Sequence, residues 1–515
     1  MKFTKIISLC LCLLLCASCF LVACSGDKDE GDKDSESTAD KDNHGDDGEK
    51  VTTGYDKESG QYVVELPEGL ELNGKEFNMC IVSNEIDITY YSEEIVPDLY
   101  DTTDAQLNEA VKKRNDHIQE KYGVEIKADP VGDATEAMRL DVSGGTKEYD
   151  AALLFMPGAA KLAQDDYLYN LYDDIFKGII HLDQPWWDKG AEEASSISNK
   201  LYFATGDITI MPKIVSIAIT FNKKMMKNHF PDVNLYDMVK KKEWTFDKMV
   251  EMSKQVTMDS DGVTGMTIDD TWGLSSSHGD ASMFYLASGN KYIAKDKDDL
   301  PILAFGTEAS ISVAQNILEQ LQLGDEWNFN CQTADVGGKN IWVASLDVFG
   351  QNRSLFRTSA FSAIKKLRKY PDADEFGLVP IPLMTKDQDR YYTPCNSAYA
   401  YAVAIPTSLD ENEAKFSAAV IELMAVGAKN LITPAYYTTT LKYRDLKDEE
   451  SEDMLDNYIF NNIVYDIGII YNFGGVSNIL GKLMAATSID IASTLESSKD
   501  LIQQDIDDCI EAFGA

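Results

Sequence analysis

The feature that most limits how this 515-residue chain can fold is an almost unbroken apolar run at residues 149–155 (YDAALLF). Such a run is typical of a β-strand covered on both faces, as in a parallel sheet. Two further strands are predicted upstream, at 76–82 and 124–128, and each is followed by a helical segment, at 102–122 and 133–142. Because a β-α-β-α-β succession brings its strands together as parallel neighbours, the sequence predicts an α/β fold with a largely parallel first sheet.

Further strands and helices follow in mixed order. Extended segments are predicted at residues 214–221, 340–348, 376–380 and 399–405, and helices at 245–256, 310–323, 413–426 and 489–513. Thr245 is a suitable N-cap, because its hydroxyl can accept a backbone N–H from the first helical turn. With 44% hydrophobic residues the chain can bury a large core, and its length exceeds that of a typical single domain. The sequence therefore predicts two lobes.

A signal sequence is predicted at the N-terminus. Lys2 and Lys5 precede an apolar run at 6–15, and residues 21–24 (LVAC) place small residues directly before Cys24. This arrangement resembles a bacterial lipobox, which implies a signal peptide at 1–23, a lipidated Cys24 and a position on the extracellular face of the cell membrane. An ordinary cleaved signal and an uncleaved anchor are the alternatives, although the run is short for a membrane span.

The segment after the predicted lipidation site is strongly acidic. Residues 25–50 contain eleven Asp and Glu, four Lys and no large apolar side chain. Such a composition cannot bury enough surface to offset its ordering entropy, so a disordered linker is predicted over 24–70. The whole chain has a formal net charge of -39, which repels nucleic acid and anionic lipid. No nucleic-acid partner is expected, and the membrane link is assigned to the lipid anchor.

Four cysteines remain outside the signal and the lipidation site, namely Cys80, Cys331, Cys395 and Cys509. Their spacing matches no zinc or redox motif. The sequence predicts buried free thiols, with one disulfide as the alternative. No cofactor is predicted.

An acidic stretch at residues 259–270 has two aspartates two positions apart and another acid at the twelfth position, as in a calcium loop. Val263, however, stands where an oxygen ligand belongs, and Thr264 replaces the glycine of the tight turn. A solvated acidic turn is the favoured interpretation, and no metal site is predicted.

Several short motifs carry a family resemblance. They are, in order, Trp186-Trp187, the NKLY motif at 199–202, FNK at 221–223, WTFD at 244–247 and FGLVP at 376–380. Together with the lipobox, this ordered set resembles the type 1 family of extracellular solute-binding proteins, the substrate-binding lipoproteins of ABC importers that mostly bind carbohydrates. The resemblance covers roughly residues 75–470. It implies a periplasmic-binding-protein-like fold with two lobes, hinge crossings and a central cleft.

The resemblance also implies where the lobes meet. Lobe one is expected at 72–207 plus 402–470, and lobe two at 212–396 plus 476–515. Crossing segments are expected near 205–212, 396–402 and 471–476. A ligand that bridges both lobes would stabilise the closed form by its differential affinity.

Candidate ligand-binding residues were chosen at the ends of predicted strands and on the crossings, where α/β folds bind ligands. Sugars need aromatic platforms for their C–H faces and polar groups for their hydroxyls. Each aromatic candidate could instead belong to the core. The candidates are Asn84, Tyr90, Tyr91, Met156, Trp186, Trp187, Asp207, His278, Phe349, Tyr399 and Phe473.

The function implied by the resemblance is that of a monomeric, surface-anchored binding protein. It would capture a carbohydrate and deliver it to the transmembrane subunits of an ABC permease. The alternatives are a surface glycan-acting enzyme and a sensor or adhesion lipoprotein on the same fold. No catalytic residues are predicted, because no pair of acids is distinguished from its neighbours and the nucleophile-elbow, P-loop and HExxH motifs are missing from the sequence.

Overall fold

Two β-sheets organise the computed structural model, which describes residues 52–84, 90–100, 104–322, 326–367, 369–370, 376–437 and 448–514. The strands are β1 (Gly54–Asp56), β2 (Gln61–Val63), β3 (Glu76–Val82), β4 (Glu125–Val131), β5 (Ala151–Phe155), β6 (Ile217–Asn222), β7 (Trp272–Ser276), β8 (Ile293–Lys295), β9 (Pro301–Leu303), β10 (Asn328–Asn330), β11 (Ser354–Ala360), β12 (Phe376–Val379), β13 (Thr393–Pro394), β14 (Tyr401–Ala404) and β15 (Ile463–Val464).

Helices cover both sheets. They are α1 (Ala105–Tyr122), α2 (Ala134–Gly144), α3 (Met156–Gln164), α4 (Lys189–Ser195), α5 (Met211–Ile214), α6 (Lys223–His229), α7 (Leu235–Lys240), α8 (Phe246–Val256), α9 (Asp280–Ala287), α10 (Glu308–Leu321), α11 (Ile341–Gly350), α12 (Phe361–Leu367), α13 (Glu411–Gly427), α14 (Glu449–Met454), α15 (Ile467–Ile470), α16 (Ile479–Met484) and α17 (Ile491–Ala512).

The first sheet has the strand order β14-β5-β3-β4. β3 pairs in parallel with β4 and β5, and β14 closes the edge antiparallel to β5. β5 is buried at four of its five positions, because helices cover both of its faces. The predicted α/β succession and the largely parallel first sheet are confirmed.

The second sheet has the order β10-β7-β11-β6-β12. β7, β10 and β11 are parallel, whereas β6 runs antiparallel to its neighbours β11 and β12. The carboxyl ends of β7, β10 and β11 therefore lie at the same edge as the first residues of β6. The protein is two-lobed, with one sheet in each lobe.

Helix termini follow the capping signals of the sequence. Asp104 accepts a hydrogen bond from the Gln106 N–H before α1, and Gly123 ends that helix at a φ of 72°. The Thr245 hydroxyl accepts from the Lys248 N–H, which confirms the predicted N-cap of α8. The helical stretch Glu411–Tyr437 is long and apolar enough to cross a membrane, but 72% of its most apolar window is buried in the protein. It is a helix of the buried core.

One predicted strand is wrong. Residues 340–348 were expected to be extended, but they fall in α11, because the Asn340 side chain accepts the N–H groups of Trp342 and Val343 and starts a helix there. Trp342, expected in the core of that strand, is 52% exposed.

A second difference concerns the acidic linker. The predicted disorder extended to residue 70, but β1 and β2 form an antiparallel hairpin. This hairpin is held by the Asn430 side chain, which accepts from the Tyr62 N–H at 2.9 Å and donates to the Tyr62 carbonyl at 2.8 Å. The Tyr62 ring also contacts Trp186 edge-on. The hairpin could not be predicted from composition, because few of its own residues are buried. Its contacts come from the helix that follows α13.

The four body cysteines are free and buried, as the sequence predicted. Burial raises the pKa of the Cys331 and Cys509 thiols to about 12. The signal peptide, Cys24 and most of the acidic linker lie outside the described residues.

Candidate ligand-binding cleft

The segment at residues 395–400 connects the two sheets. Its Asn396 N–H bonds to the Val215 carbonyl just before β6, and the Ala400 carbonyl accepts the N–H of Met156 at the end of β5. The carboxyl end of the first sheet is thereby brought close to the start of β6 in the second sheet. This is the position of the predicted crossing at 396–402.

An aromatic cluster covers this edge of the first sheet, formed by Tyr90, Phe155, Tyr399 and Tyr401. The Tyr90 and Tyr399 rings stack at 4.6 Å between centroids, and the Phe155 and Tyr401 rings stack at 4.7 Å. The Tyr401 hydroxyl donates to the Tyr90 carbonyl at 2.8 Å, which holds Tyr90 against this cluster. Tyr399 is 41% exposed, so its ring offers an accessible face. Two predicted site residues, Tyr90 and Tyr399, therefore lie together.

A polar cluster lies at the facing edge of the second sheet, formed by His278, Asp280 and Arg357. Arg357 is buried within β11, where its Nη1 donates to the Ser359 hydroxyl and its Nε to the Ser345 hydroxyl. Within the part of the chain that the structure describes, its Nη2 has no hydrogen-bond partner. The His278 Nε2 atom is buried and also lacks a protein partner. Such atoms are available to a ligand.

Burial is the main cause of the pKa shifts in the polar cluster. Desolvation raises the pKa of Asp280 to about 6, against the opposing effects of a bond from the Ser277 N–H and the charge of Arg357. Desolvation also lowers the pKa of Arg357 and of His278 below their ordinary values. Tyr90 of the aromatic cluster has a smaller, opposite effect on the pKa of Arg357.

A cavity of about 410 Å³ lies beside the first crossing, lined by Trp187, Asp207, Lys213, Lys429 and Phe460 among others. Asp207 pairs with Lys213 at 3.3 Å and Lys429 at 3.1 Å. Its burial would raise its pKa, but the two lysines outweigh burial and hold the pKa below its ordinary value. Asp207 is thus a buried, paired carboxylate at the wall of this cavity.

The two adjacent tryptophans are held by one buried carboxylate. Glu422 of α13 is fully buried and accepts from the indole N–H of Trp186 at 3.0 Å and of Trp187 at 2.9 Å. His181 Nδ1 lies 3.0 Å from the same carboxylate, which raises the pKa of that histidine. Gly206 packs against this pair so closely that a Cβ would collide with the Trp186 carbonyl.

The other predicted residues are dispersed. Phe349 is buried in α11, and Phe473 is buried and stacked on Tyr471. Met156 is buried where β5 passes into α3. Tyr91 packs edge-on against Tyr100, and Asn84 is half-buried after β3. The structure thus brings together part of the predicted set, and ligand contact by each residue stays a prediction.

In the acidic stretch at 259–270, carboxylates accept hydrogen bonds from backbone N–H groups of the same stretch. Oxygens of Asp259, Asp261 and Asp270 lie within 4.8 Å of one another. Asp270 is buried and accepts the N–H groups of Ser260 and Thr267. Desolvation would raise the pKa of Asp270, but three backbone N–H donors and a side-chain bond from Thr267 hold it below the ordinary value.

Sequence reasoning missed Arg357, Phe155 and Glu422 as parts of these groups. Arg357 carried little signal, because β11 mixes apolar residues with Ser354, Thr358 and Ser359. Glu422 carried none, because it lies more than 200 positions from the tryptophans that it binds.

No protein-family model matches the chain, and no curated protein matches it in sequence. Solved structures do resemble it. A sugar transporter from Rhizobium etli, in an open conformation, has a TM-score of 0.54 at 13% identity and covers 83% of this chain and 99% of that one. An ABC substrate-binding protein from Listeria monocytogenes, in complex with cycloalternan, has a TM-score of 0.52 at 13% identity and covers 84% and 99%.

A third structure, an ABC transporter solute-binding protein from Thermotoga lettingae bound with α-D-tagatose, has a TM-score of 0.50 at 12% identity and covers 84% of this chain and all of that one. At such low identity the likeness concerns the fold. It agrees with the resemblance read from the sequence motifs. The chain has the two-lobed, periplasmic-binding-protein-like fold of the solute-binding proteins of ABC importers.

Proposed function

We propose that this protein is the binding component of an ABC importer and captures a carbohydrate between its two lobes. The observation that carries the proposal is the pairing of an accessible aromatic cluster on one sheet edge with a polar cluster on the facing edge. An aromatic face takes the C–H side of a sugar ring, whereas hydroxyls need donors and acceptors around them. Tyr399 and Tyr90 supply the first, and Arg357, His278 and Asp280 supply the second.

The proposal assigns one sheet to each lobe. The first sheet lies within the range proposed for lobe one, 72–207 plus 402–470, apart from one residue of β14. The second sheet lies within 212–396, which belongs to the range proposed for lobe two, and these positions support the proposed lobe limits. A ligand touching both edges would stabilise the closed arrangement of the lobes. An oligosaccharide suits the proposal because a solved structure of the same fold is described in complex with cycloalternan.

The proposal extends to the cell surface. Lipidation of Cys24 would hold the monomer on the extracellular face of the membrane, and the acidic segment would separate the body from the bilayer. Two or more acyl chains make such an anchor lasting, because each buried methylene contributes about 0.8 kcal/mol. The permease would then receive the carbohydrate from a protein that stays nearby.

The test is a calorimetric titration against mono- and oligosaccharides, with the recovered sugar examined for cleavage. We expect saturable binding of at least one carbohydrate, a raised melting temperature and an unchanged sugar. Recovery of a shortened sugar would favour the glycan-acting enzyme instead. Absence of binding across the panel would reject the carbohydrate ligand.

A further inference from the structure

A second cavity has a lining different from that of the two facing sheet edges. It has a volume of about 600 Å³ and is lined by α4, the β8–β9 hairpin, Tyr172 and residues 465–467. Small-molecule sites in proteins have volumes of this order. None of the aromatic or polar cluster residues of the cleft lines it.

One wall carries an unsatisfied buried acceptor. Glu192 of α4 is 7% exposed, and its Oε1 accepts from the Tyr172 hydroxyl at 2.6 Å and from Lys189 at 2.8 Å. Its second oxygen, Oε2, is buried and has no hydrogen-bond partner among the residues that the structure describes. A buried carboxylate oxygen left unpaired is unfavourable, so a donor from a bound molecule would stabilise it.

The opposite wall is polar and already ordered. Lys295 on β8 donates to Asp299 at 2.8 Å and to the Ser196 hydroxyl at 2.9 Å. Desolvation lowers the pKa of Lys295, which is the expected result of removing its ammonium from water. Donors and acceptors are therefore presented from two sides of the cavity.

The charges select the ligand class. Three lysines and three carboxylates line the cavity, so its formal charge is zero. An anion would meet the buried Glu192, and a cation would meet Lys189, Lys291 and Lys295. A neutral molecule with several hydroxyls faces neither penalty, and the Tyr172 ring, 42% exposed, offers a surface for its C–H face.

We infer that this cavity is a second, separate binding site for a small neutral polyhydroxyl compound, with a ligand hydroxyl donating to Glu192 Oε2. The site is independent of the cleft proposed above. Its walls come from segments assigned to different lobes, with α4 in one and the β8–β9 hairpin in the other. The bond from Lys295 to the Ser196 hydroxyl already joins these two elements beside the cavity.

The experiment uses a thiol as a local reporter. Ala294 lines the cavity and is half-buried, whereas the body cysteines are buried. In an Ala294→Cys variant we expect glucose, sorbitol or myo-inositol at saturation to slow alkylation by iodoacetamide about tenfold, as read by peptide mass mapping. A Leu140→Cys variant, whose parent side chain is 55% exposed on α2, is the control and should show no protection.

Two second-site changes make the outcome specific. Glu192→Ala and Tyr172→Ala, each added to Ala294→Cys, should abolish protection while the melting transition is retained. Tyr399→Ala in the same background should leave protection intact, because that residue belongs to the cleft. Lack of protection by all three polyols, protection that survives both cavity changes, or protection that disappears with Tyr399→Ala would overturn the second site. The last of these leaves the cleft proposal standing.

Discussion

Replacing Glu422 by alanine should lower the free energy of unfolding by about 3–5 kcal/mol, the loss typical of a buried charged group removed from its partners. The reason is that this carboxylate accepts from both indole N–H groups of Trp186 and Trp187 and also contacts His181. Without it, buried donors from two aromatic side chains have no acceptor, and a cavity opens in the core. Urea unfolding followed by tryptophan fluorescence measures the change.

Two variants on the same helix provide controls. Glu422→Gln keeps the volume and one carbonyl oxygen but turns an N–H group toward an indole donor, so a smaller loss of about 1–3 kcal/mol is expected. Glu411→Ala removes an exposed partner of Lys415 and should leave unfolding nearly unchanged, because exposed ion pairs contribute little. Equal stability of Glu422→Ala and the parent protein would show that the tryptophans do not depend on this carboxylate.

The second large effect concerns affinity. Tyr399→Ala should weaken carbohydrate binding about tenfold to a hundredfold, because it removes the accessible ring of the aromatic cluster. Its melting temperature should change little, since the side chain is 41% exposed and donates no described hydrogen bond. Calorimetry with the carbohydrate that binds the parent protein measures the ratio of dissociation constants.

Tyr55 provides the matched control for this prediction. It is also an exposed tyrosine with an aromatic neighbour, but it lies on the β1–β2 hairpin rather than in the cleft. Tyr55→Ala should therefore bind carbohydrate as the parent does. If Tyr399→Ala and Tyr55→Ala bind equally well, the aromatic cluster is not the platform for the ligand.

Local sequence signals located most of the architecture. β3 has the bounds that were predicted for it, because its residues form a short, mostly apolar run. α1 begins and ends at residues with the expected caps, Asp104 and Gly123. These features depend on neighbours within a few positions, which a single sequence contains.

The two errors have different causes, one a local helix cap and the other a distant contact. The apolar composition of residues 341–350 suits a strand or a helix equally, and the cap at Asn340 settles it. The β1–β2 hairpin depends on Asn430, which lies 368 positions from Tyr62. Neither the helix at 341–350 nor the β1–β2 hairpin could be predicted from composition.

The candidate site, like the fold, could be predicted only in part. Tyr90 and Tyr399, predicted because α/β folds place ligands at strand ends and crossings, do lie together, and ligand contact by either stays a prediction. Trp186 and Trp187 were predicted as ligand contacts with packing as the alternative, and their buried partner Glu422 belongs to a helix far along the chain. The burial of Arg357 beside Asp280 required the pairing of β7 with β11.

The most direct test of the central claim is a crystal structure of the protein with the carbohydrate found by calorimetry. The account predicts an intact sugar ring stacked on Tyr399 or Tyr90, with hydroxyls bonded to Arg357 Nη2 and His278 Nε2 and both lobes in contact. A sugar bound away from both sheet edges, or one cleaved in the crystal, would contradict it.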